Sequence, residues 1–400
     1  MSAPHTLVID RLGHRGEGVA LVEGKPIFVP ATLPGETVTV TIEGNRGTLL
    51  DILAASPERR TAPCPHFPAC GGCQLQHLSA ETYSQFKRSL VVDALSRTGV
   101  AADVSDPIIA HGAGRRRATF HATRSAAGFM ALRSHQIHDL DRCPILVPAL
   151  AQAPRIARDL ASAVGPCDVA FTASDMGLDV AIRAKGMKAN PKLTELARRF
   201  DLARLSLNGE PLIIHRQPTV TMGRAQVPLP VGSFLQATEA AEAALAELVV
   251  KAVAGARQVA DLFCGVGPFA LRLAERAAVL AADSDGPAVA ALDAAKRKAK
   301  GLKPIAAEKR DLFREPLGPF ELNRFDAVVL DPPRAGAQAQ IAELAKSKIK
   351  TIAYVSCDPQ SFARDAAALV AAGYVIGPVR PLDQFAFSSH TEVFARFERP

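Results

Sequence analysis

The chain has 400 residues, of which 48% are hydrophobic, and a formal net charge of +7. This length allows two or three domains of roughly 150 residues each, with ample apolar content for packed cores. No apolar run approaches the roughly 18 residues of a membrane helix, the N-terminal residues do not resemble a secretion signal, and the few cysteines exclude a disulfide scaffold. We therefore expect a cytoplasmic protein with reduced cysteines and no membrane partner.

The charge is distributed unevenly along the chain. Residues 1–60 hold 6 basic and 7 acidic side chains, residues 61–225 hold 20 and 13, and residues 226–400 hold 21 and 20. The excess positive charge therefore lies in the middle segment, where Arg115, Arg116 and Arg117 are adjacent. Such clustering is typical of a surface that contacts a phosphate backbone, although a solvated basic face has the same composition. We predict that these arginines contact RNA phosphates.

The first segment, residues 1–58, predicts a small β-barrel. Short stretches that alternate apolar and polar residues, such as Thr6–Ile9, Gly18–Val22 and Thr37–Ile42, are separated by Gly and Pro turns. Barrels of this size are common RNA-binding modules. Because its own charge is nearly neutral, we expect the barrel to add RNA contacts without dominating affinity.

The middle segment, residues 59–225, is predicted to be a central α+β domain. It begins with a cysteine-rich loop and continues with a helix-like stretch over Glu81–Ser96. Short strand candidates follow, together with a second helical run over Pro191–Phe200. The pattern does not define the topology of residues 101–225.

The last segment, residues 226–400, alternates strands and helices after an amphipathic helix over Thr238–Val253. The predicted strands are Gln258–Phe263, Ala277–Asp283, Phe325–Leu330 and Lys350–Val355. Strands alternating with helices indicate an α/β domain with a doubly wound parallel sheet.

A glycine-rich turn follows the first of these strands. Asp261-x-x-x-Gly265-x-Gly267 is typical of a nucleotide-binding turn, because glycine lets the backbone approach a ligand at a helix N-terminus. Asp283 ends the next strand, about 20 residues on, where an acidic side chain can bind ribose hydroxyls. Both NAD and S-adenosylmethionine fit this half of the pattern.

The segment Asp331-Pro-Pro-Arg334 favours the second cofactor. An acidic residue followed by a rigid turn at this place resembles the methyl-donor pocket of methyltransferases. Enzymes that methylate an exocyclic amine place an aromatic ring where this chain has Arg334. The pattern therefore predicts methylation of a carbon atom, which must first be activated.

Cys357 is the candidate nucleophile for that activation. It follows the apolar run Ile352–Val355, so we expect it at the carboxyl edge of the sheet, where open α/β folds bind ligands. A thiolate that adds to C6 of uracil makes C5 nucleophilic, and a base must later remove the C5 proton. His390 and Glu392 begin the final strand pattern and could supply that base. The alternatives are that Cys357 is an inert buried thiol and that His390 and Glu392 are surface side chains at the end of a strand.

Together these residues resemble the family of S-adenosylmethionine-dependent RNA uridine-C5 methyltransferases over nearly the whole chain. The likeness begins in the barrel, which resembles a TRAM domain at Gly18–Ala20, Phe28–Pro30 and Leu33–Glu36, and ends at His390–Glu392. It implies a class I methyltransferase domain with Cys357 as nucleophile and Glu392 as base. It also implies a set of donor-binding residues: Gln236, Phe263, Gly265, Asp283, Asp311 and Asp331.

The most specific part of the resemblance is the cysteine loop. Cys64, Cys70 and Cys73, with the distant Cys143, resemble the cluster ligands of the iron-sulfur-containing 23S rRNA members. Four thiolates can hold a [4Fe-4S] cluster or a zinc ion, and spacing alone does not choose between them. The resemblance favours iron and sulfur.

The resemblance also implies the RNA substrate. Because tRNA members generally lack the barrel and the loop, we expect a monomeric enzyme that methylates an unpaired uridine of 23S rRNA. The alternatives are the same chemistry on tRNA or on another rRNA uridine, a non-catalytic RNA-binding or assembly factor, and a nicotinamide oxidoreductase.

Overall fold

The computed structural model describes residues 3–400 and arranges them in four β-sheets. Across these residues, no helix combines the length and the apolar character needed to cross a membrane. The sheets follow one another along the chain, except that a short segment from the middle of the sequence joins the last sheet.

The N-terminal sheet has six strands in the order β1-β5-β6-β4-β3-β2. Its strands are β1 (His5–Val8), β2 (Arg11–Leu12), β3 (Gly18–Val22), β4 (Lys25–Val29), β5 (Thr37–Glu43) and β6 (Arg46–Ala54). In β5, Val38 and Val40 are fully buried, and the threonines that alternate with them are partly exposed. The sheet therefore encloses a small apolar core on one face, as the alternating pattern predicts.

A helix, α1 (Ala80–Arg97), and a short strand, β7 (Ile108–Ile109), separate this barrel from the middle sheet. The middle sheet has seven strands in the order β10-β9-β8-β11-β12-β13-β14. The elements of this region are β8 (Arg117–Ala122), β9 (Ala127–Met130), β10 (Ile137–Asp139), α2 (Ala153–Val164), β11 (Cys167–Ser174), β12 (Gly177–Arg183), α3 (Pro191–Arg199), β13 (Arg204–Leu207), β14 (Glu210–Ile214) and a separate hairpin, β15 (Thr219–Met222) with β16 (Ala225–Pro228). Helix α2 buries Ile156, Leu160 and Val164, four residues apart, and so packs one apolar face against this sheet.

The C-terminal sheet has nine strands, eight of them in the order β19-β18-β17-β20-β21-β24-β23-β7, and β22 pairs with β24. Its further elements are α4 (Glu239–Ala252), β17 (Gln258–Leu262), α5 (Ala270–Leu273), β18 (Ala278–Asp283), α6 (Gly286–Lys298), β19 (Ile305–Lys309), α7 (Pro319–Leu322), β20 (Ala327–Leu330), α8 (Gln338–Lys346), β21 (Thr351–Ser356), α9 (Pro359–Ala371), β22 (Val375–Ile376), β23 (Arg380–Asp383) and β24 (Glu392–Glu398). The four predicted strands are confirmed as β17, β18, β20 and β21, which pair in parallel with their neighbours.

Two apolar cores lie on the two faces of this sheet. Successive residues such as Val328 and Val329 are both fully buried but belong to different cores. Their strand is covered on both sides, which explains the continuous apolar run in the sequence. The sheet also contains β23 and β7, which the sequence analysis did not predict, and the expected final strand, β24, runs antiparallel between β21 and β23.

The segment from α1 to β7 packs with the C-terminal sheet. Val91 and Leu95 of α1 share a core with Phe362 and Leu369 of α9, and β7 pairs with β23. Helix α1 therefore packs against the C-terminal domain, and β7 is a strand of its sheet. The division of the sequence at residues 58 and 225 places both elements in the central domain instead.

Candidate active site

The glycine-rich turn lies at the carboxyl end of β17. Phe263, Gly265 and Gly267 all have positive φ angles, of 64°, 53° and 89°. At Gly267 a Cβ atom would lie 2.5 Å from Leu292 Cδ1, so glycine is required for packing against α6 as well as for conformation. The N–H of Gly265 donates to Asp283 Oδ2 at 2.8 Å and joins the turn to the end of β18.

A cavity of about 450 Å³ opens beside this turn. Its lining includes five of the six predicted donor-binding residues: Gln236, Phe263, Gly265, Asp283 and Asp331. The sixth, Asp311, does not line it. Asp311 follows β19 and accepts a hydrogen bond from the backbone N–H of Phe313, whose ring does reach the cavity.

Cys357 and Glu392 line the same cavity. Cys357 follows the last residue of β21, and Asp358 caps α9 by accepting from the backbone N–H groups of Gln360 and Ser361. Glu392 begins β24, the antiparallel neighbour of β21, and the pairing of Ser356 with Val393 brings the two residues to the same sheet edge. The strand register thus places the candidate nucleophile beside the candidate base.

The Glu392 carboxyl is suited to accept a proton near neutral pH. Its Oε1 accepts a hydrogen bond from Gln384 Nε2 at 2.8 Å, whereas Oε2 is buried with no hydrogen-bond partner among residues 3–400. Burial raises the pKa of Glu392 to about 7. A carboxylate poised at this value is an effective general base because it takes up and releases a proton within the physiological range.

Burial, together with the carboxyl groups of Glu392 and Asp331, raises the pKa of the Cys357 thiol to about 12, whereas Arg334 acts in the opposite direction. The thiolate form must therefore be generated as the sulfur attacks. Arg334 lines the cavity and lies at its rim, where its Nη2 is 3.3 Å from His390 Nδ1.

A buried network beneath the cavity holds the loop that leads into β24. Asp383, at the end of β23, accepts hydrogen bonds from Tyr83 and from Lys87 at 2.8 Å. Lys87 also donates to the carbonyl of His390, and His111 approaches Asp383 at 2.7 Å. Burial opposes ionisation of Asp383, but these donors together hold its pKa below the usual value. The network fixes the loop by a buried ion pair between α1 and β23.

Sequence analysis identified Cys357 and Glu392 but missed Gln384 and the Lys87–Asp383 pair. No local motif marks these residues, because their partners lie 8 to 296 positions away in the chain. Arg334 was singled out only for the absence of an aromatic ring, and the structure adds its contact with His390.

The four cysteines of the proposed cluster line one separate cavity. The structure brings Cys64, Cys70 and Cys73 together with Cys143 there, although about 70 residues separate Cys73 from Cys143. The loop is tied to β9, since Gly71 donates to the Met130 carbonyl at 3.0 Å. Within residues 3–400 no three His, Cys, Asp or Glu side chains are arranged to hold a single metal ion.

The chemistry of this cavity fits a group that binds several thiolates. Burial raises the pKa of Cys73 to about 11 and that of Cys143 to about 12, so a positively charged centre would be needed to hold them as thiolates. The nearby Arg115 has a buried Nε with no hydrogen-bond partner in residues 3–400, and its charge acts on both cysteines. Such an orphaned donor fits sulfur acceptors in the cavity.

Burial removes Arg116 from the RNA-binding surface that the composition suggested. Arg116 is 8% exposed and pairs with Glu242 at 2.6 Å, so its predicted phosphate contact is wrong. Arg117 donates to the Leu235 carbonyl at 3.1 Å and, like Arg115, is half-buried. Arg116 and Arg117 thereby join the start of β8 to the segment before α4.

A groove of about 600 Å³ lies between the barrel, the cysteine loop and the active-site loop. Its lining includes the exposed residues Arg15, Arg46 and Arg133, the ring of Phe67, and His390. Because His390 also contacts Arg334 of the active-site cavity, the groove and the cavity meet at that pair. A basic groove with an aromatic side chain has the character of a single-strand RNA surface.

The fold and the site define a class of protein. Parallel strands in the order β19-β18-β17-β20-β21, a glycine turn after β17 and an antiparallel strand beside β21 are the features of a class I methyltransferase. Residues 225–399 match the family tRNA (Uracil-5-)-methyltransferase, and residues 6–49 match the TRAM domain.

Comparison with whole proteins agrees. An RNA methyltransferase of Rhizobium meliloti (strain 1021), whose name specifies no particular RNA, is 46% identical over 98% of this chain and 99% of its own length. The 23S rRNA (uracil(1939)-C(5))-methyltransferase RlmD of Halomonas elongata is 32% identical over 98% of this chain and 89% of its own. The chain therefore belongs to the family of S-adenosylmethionine-dependent RNA uracil-C5 methyltransferases.

A solved structure shares the fold. The Pyrococcus abyssi tRNA (uracil-54, C5)-methyltransferase, in complex with S-adenosyl-L-homocysteine, superposes with a TM-score of 0.76 over 98% of this chain and 100% of its own, at 23% identity. This likeness shows a shared fold along nearly the whole chain.

Proposed function

We propose that this RNA uracil-C5 methyltransferase works through a covalent adduct between Cys357 and C6 of a uridine, with Glu392 as the base. The observation that carries the proposal is the juxtaposition of the two side chains at neighbouring strand ends in one cavity, with Glu392 Oε2 free of protein partners within residues 3–400. Five of the six donor-binding residues that sequence analysis named lie in the same cavity.

The chemistry balances as an addition followed by an elimination. Cys357 is partly exposed, so its proton passes to water as Sγ bonds to C6 and moves the C5–C6 π electrons onto C5 and O4. C5 can then form a bond to a methyl group. S-adenosylmethionine, when bound, supplies that methyl group on a positively charged sulfur. Glu392 Oε2 then takes the C5 proton, the C5–C6 double bond re-forms, and the thiolate leaves. Arg334, which favours the thiolate form of Cys357, assists both the first and the last step.

The methyl donor is proposed to bind along Gln236, Phe263, Gly265, Asp283 and Asp331. Asp283 ends β18, the position at which an acidic side chain binds ribose hydroxyls in this type of fold. The ring of Phe313 faces that of Phe263 with centroids 5.5 Å apart and supplies an apolar wall. Asp311 contributes indirectly, by fixing the backbone that carries Phe313.

The cysteine cavity is proposed to hold a [4Fe-4S] cluster through Cys64, Cys70, Cys73 and Cys143. Tetrahedral zinc needs its four sulfurs within about 2.3 Å of one centre. A cubane binds one thiolate at each of four separated iron atoms, and the four cysteines that line this cavity match that number of ligands. The charge of Arg115, which acts on Cys73 and Cys143, would offset part of the negative charge of a bound cluster.

The proposed substrate is 23S rRNA, which the similarity to the RlmD of Halomonas elongata supports. A tRNA uridine is the second candidate, supported by the full-length fold shared with the Pyrococcus abyssi tRNA enzyme. The RNA is proposed to follow the basic groove to the Arg334–His390 pair and to present a flipped base to Cys357, which is least costly in an unpaired region. Mapping 5-methyluridine in rRNA and tRNA from a strain that lacks the gene would decide between these substrates.

The mechanism is tested by RNA with 5-fluorouridine at the target. Addition and methyl transfer proceed, but Glu392 finds no proton to remove, so the protein should be trapped as a methylated covalent adduct that survives denaturation. Cys357→Ala should abolish both the adduct and turnover, whereas Cys167→Ala, in β11 outside the active-site cavity, should still form the adduct. A Cys357→Ala variant that keeps substantial methylation would overturn the proposed nucleophile, and a wild-type protein that transfers no methyl group to unmodified RNA would favour a non-catalytic RNA-binding factor.

A further inference from the structure

The side chain of Gln384 lies between the donor side of the active site and the base. It is 1% exposed, and its Nε2 donates to Glu392 Oε1 at 2.8 Å and to Gln236 Oε1 at 2.7 Å. Its Oε1 accepts from the backbone N–H of Ala237 at 2.6 Å. If the amide oxygen and nitrogen of Gln384 were exchanged, its oxygen would face Gln236 Oε1. Its NH2 group would then face the backbone N–H of Ala237. The hydrogen bonds therefore fix the orientation of this amide.

We propose that Gln384 is a positioning residue that selects Oε2 of Glu392 as the atom that receives the C5 proton. This inference rests on the proposed function, since it assumes that Glu392 is the base. Because Oε1 is engaged by Gln384, the lone pairs of Oε2 are those left without a partner in residues 3–400. The amide also keeps the carboxylate plane fixed, which a single rotatable Glu side chain does not achieve alone.

The hydrogen bonds continue from Gln384 to the donor side. Gln236 Nε2 donates to Asp331 Oδ2 at 3.3 Å, so Asp331, Gln236, Gln384 and Glu392 form one chain of hydrogen bonds. Two carboxyl groups at its ends repel each other when both are ionised, and burial together with Glu392 raises the pKa of Asp331 well above its usual value. A donated hydrogen bond at Glu392 favours ionisation there.

Five other groups act on Glu392 or line its surroundings. Arg334 and Lys87 favour its ionised form, although burial is the larger influence. Asp331 and Cys357 share the cavity with it, and His390, which contacts Arg334, lies two residues before it. None of these occupies Oε1, so loss of Gln384 leaves that oxygen without a donor and raises the pKa of Glu392 above its present value of about 7.

The test is Gln384→Met, which keeps the side-chain length and removes the donors. Single turnover on RNA with tritium at C5 of uridine, with saturating labelled methyl donor, reports methyl incorporation and proton release separately. We expect methyl incorporation to stay within about twofold of wild type. Tritium release at pH 7 should fall about tenfold or more, and its acid limb should move up by about one pH unit, the loss expected for one hydrogen bond to a charged acceptor. The covalent intermediate should accumulate.

Two further variants separate the possible failures. Gln226→Met, exposed in β16, is the matched control and should behave as wild type. Glu392→Gln should block tritium release. If Gln384→Met releases tritium at the wild-type rate with an unchanged pH profile, or loses methyl incorporation in parallel, the positioning role is wrong while the proposed base stands. If Glu392→Gln also releases tritium normally, the proposed base itself is wrong.

Discussion

At the scale of one residue, the buried carboxyl group of Glu392 affects the stability of the folded protein. The side chain is 2% exposed, and its Oε2 has no protein partner within residues 3–400. An unpaired carboxylate in such a place is unfavourable, which is why burial raises its pKa to about 7. The same environment that suits Glu392 to its proposed role as a base therefore destabilises the folded protein when the group ionises.

We predict that Glu392→Gln stabilises the protein at alkaline pH. Because the folded-state pKa is raised, stability linked to this group is complete below the unfolded value of 4.5 and is lost as pH rises through about 7. At pH 9 the difference in the free energy of unfolding should approach about 3 kcal/mol, whereas near pH 4 it should be close to zero. Urea denaturation of both proteins at the two pH values measures it. An equal difference at both would show that ionisation is not its cause.

At the same scale, the sequence predicts residues that follow strands within short motifs. Cys357, Gly265 and Asp331 were found because parallel strands deliver the next residue to one sheet edge. Gln384 could not be found in this way, since its amide is meaningful only beside Gln236 and Glu392. The sequence analysis also did not predict that Arg116 is buried, because its partner Glu242 lies 126 residues away in the chain.

At the scale of elements, α1 supports the catalytic loop from a distance in sequence. Its Tyr83 and Lys87 both bind Asp383, and the Tyr83 hydroxyl also accepts from the backbone N–H of Phe387 at 3.0 Å. The backbone N–H groups of Gln74 and Leu75, directly after the cysteine loop, donate to the Phe387 carbonyl at 2.8 and 3.0 Å. The proposed cluster loop and the base are thus connected through one short segment.

We predict that Lys87→Met destabilises the protein strongly. Lys87 and Asp383 are both 0% exposed, and removing one member of a buried ion pair leaves the other uncompensated, at a cost of about 3–5 kcal/mol. Chemical denaturation measures the loss. Lys192→Met, at an exposed position of α3, should change stability by no more than about 0.5 kcal/mol. Similar stabilities for the two variants would show that the pair does not hold the loop.

The cysteine loop leads to a second prediction at this scale. Protein purified without oxygen should contain iron and sulfide near four of each per chain, as a thiolate-bound cubane requires. Cys73→Ser should lose most of the iron and destabilise the middle region, because the ligands tie residues 64–73 to residue 143. Cys167→Ser, whose sulfur lies in β11 outside this cavity, should keep the iron. One zinc ion per chain with no iron would contradict the proposed cluster.

Elements were predicted best where they are regular and local. The existence of α1, α3 and α4 was confirmed to within a few residues, since each has a clear cap or apolar periodicity. The topology of the middle sheet was not assigned, because five of its seven strands lack a clear alternation of buried and exposed residues. In addition, β12 pairs in parallel with β13, and α3 lies between them in the chain. Placing β7 beside β23 needs a contact between residues 108 and 382, which local patterns do not encode.

At the scale of the whole molecule, the barrel, the cysteine loop and the catalytic domain form one continuous surface. Gly16 makes this close approach possible: it has a φ of 79°, and a Cβ atom there would lie 2.4 Å from Leu75 Cδ2. The barrel is thereby seated on the segment that supports the catalytic loop. The basic groove is a product of this assembly, since its cations come from the barrel and from the middle sheet.

We predict that the groove cations carry much of the RNA affinity. Single Arg15→Ala and Arg46→Ala changes should weaken binding similarly for different RNA sequences and should each reduce the salt dependence by about 0.7, the value for one phosphate contact on a single strand. Filter binding at several salt concentrations measures both effects. Arg297→Ala, on the exposed side of α6, is the control and should leave the slope unchanged. Unchanged slopes for all three variants would place the RNA elsewhere.

The position of β24 has a consequence for the timing of synthesis. This strand is the last one described, yet it lies inside the sheet, with β21 on one side and β23 on the other, and it carries Glu392 at its first residue. During translation the barrel, the cysteine loop and α1 leave the ribosome hundreds of residues earlier and must wait for their partners. Until β24 is made, the nascent chain lacks the proposed base and the strand that joins β21 to β23, so a chain that stops before Glu392 should be inactive.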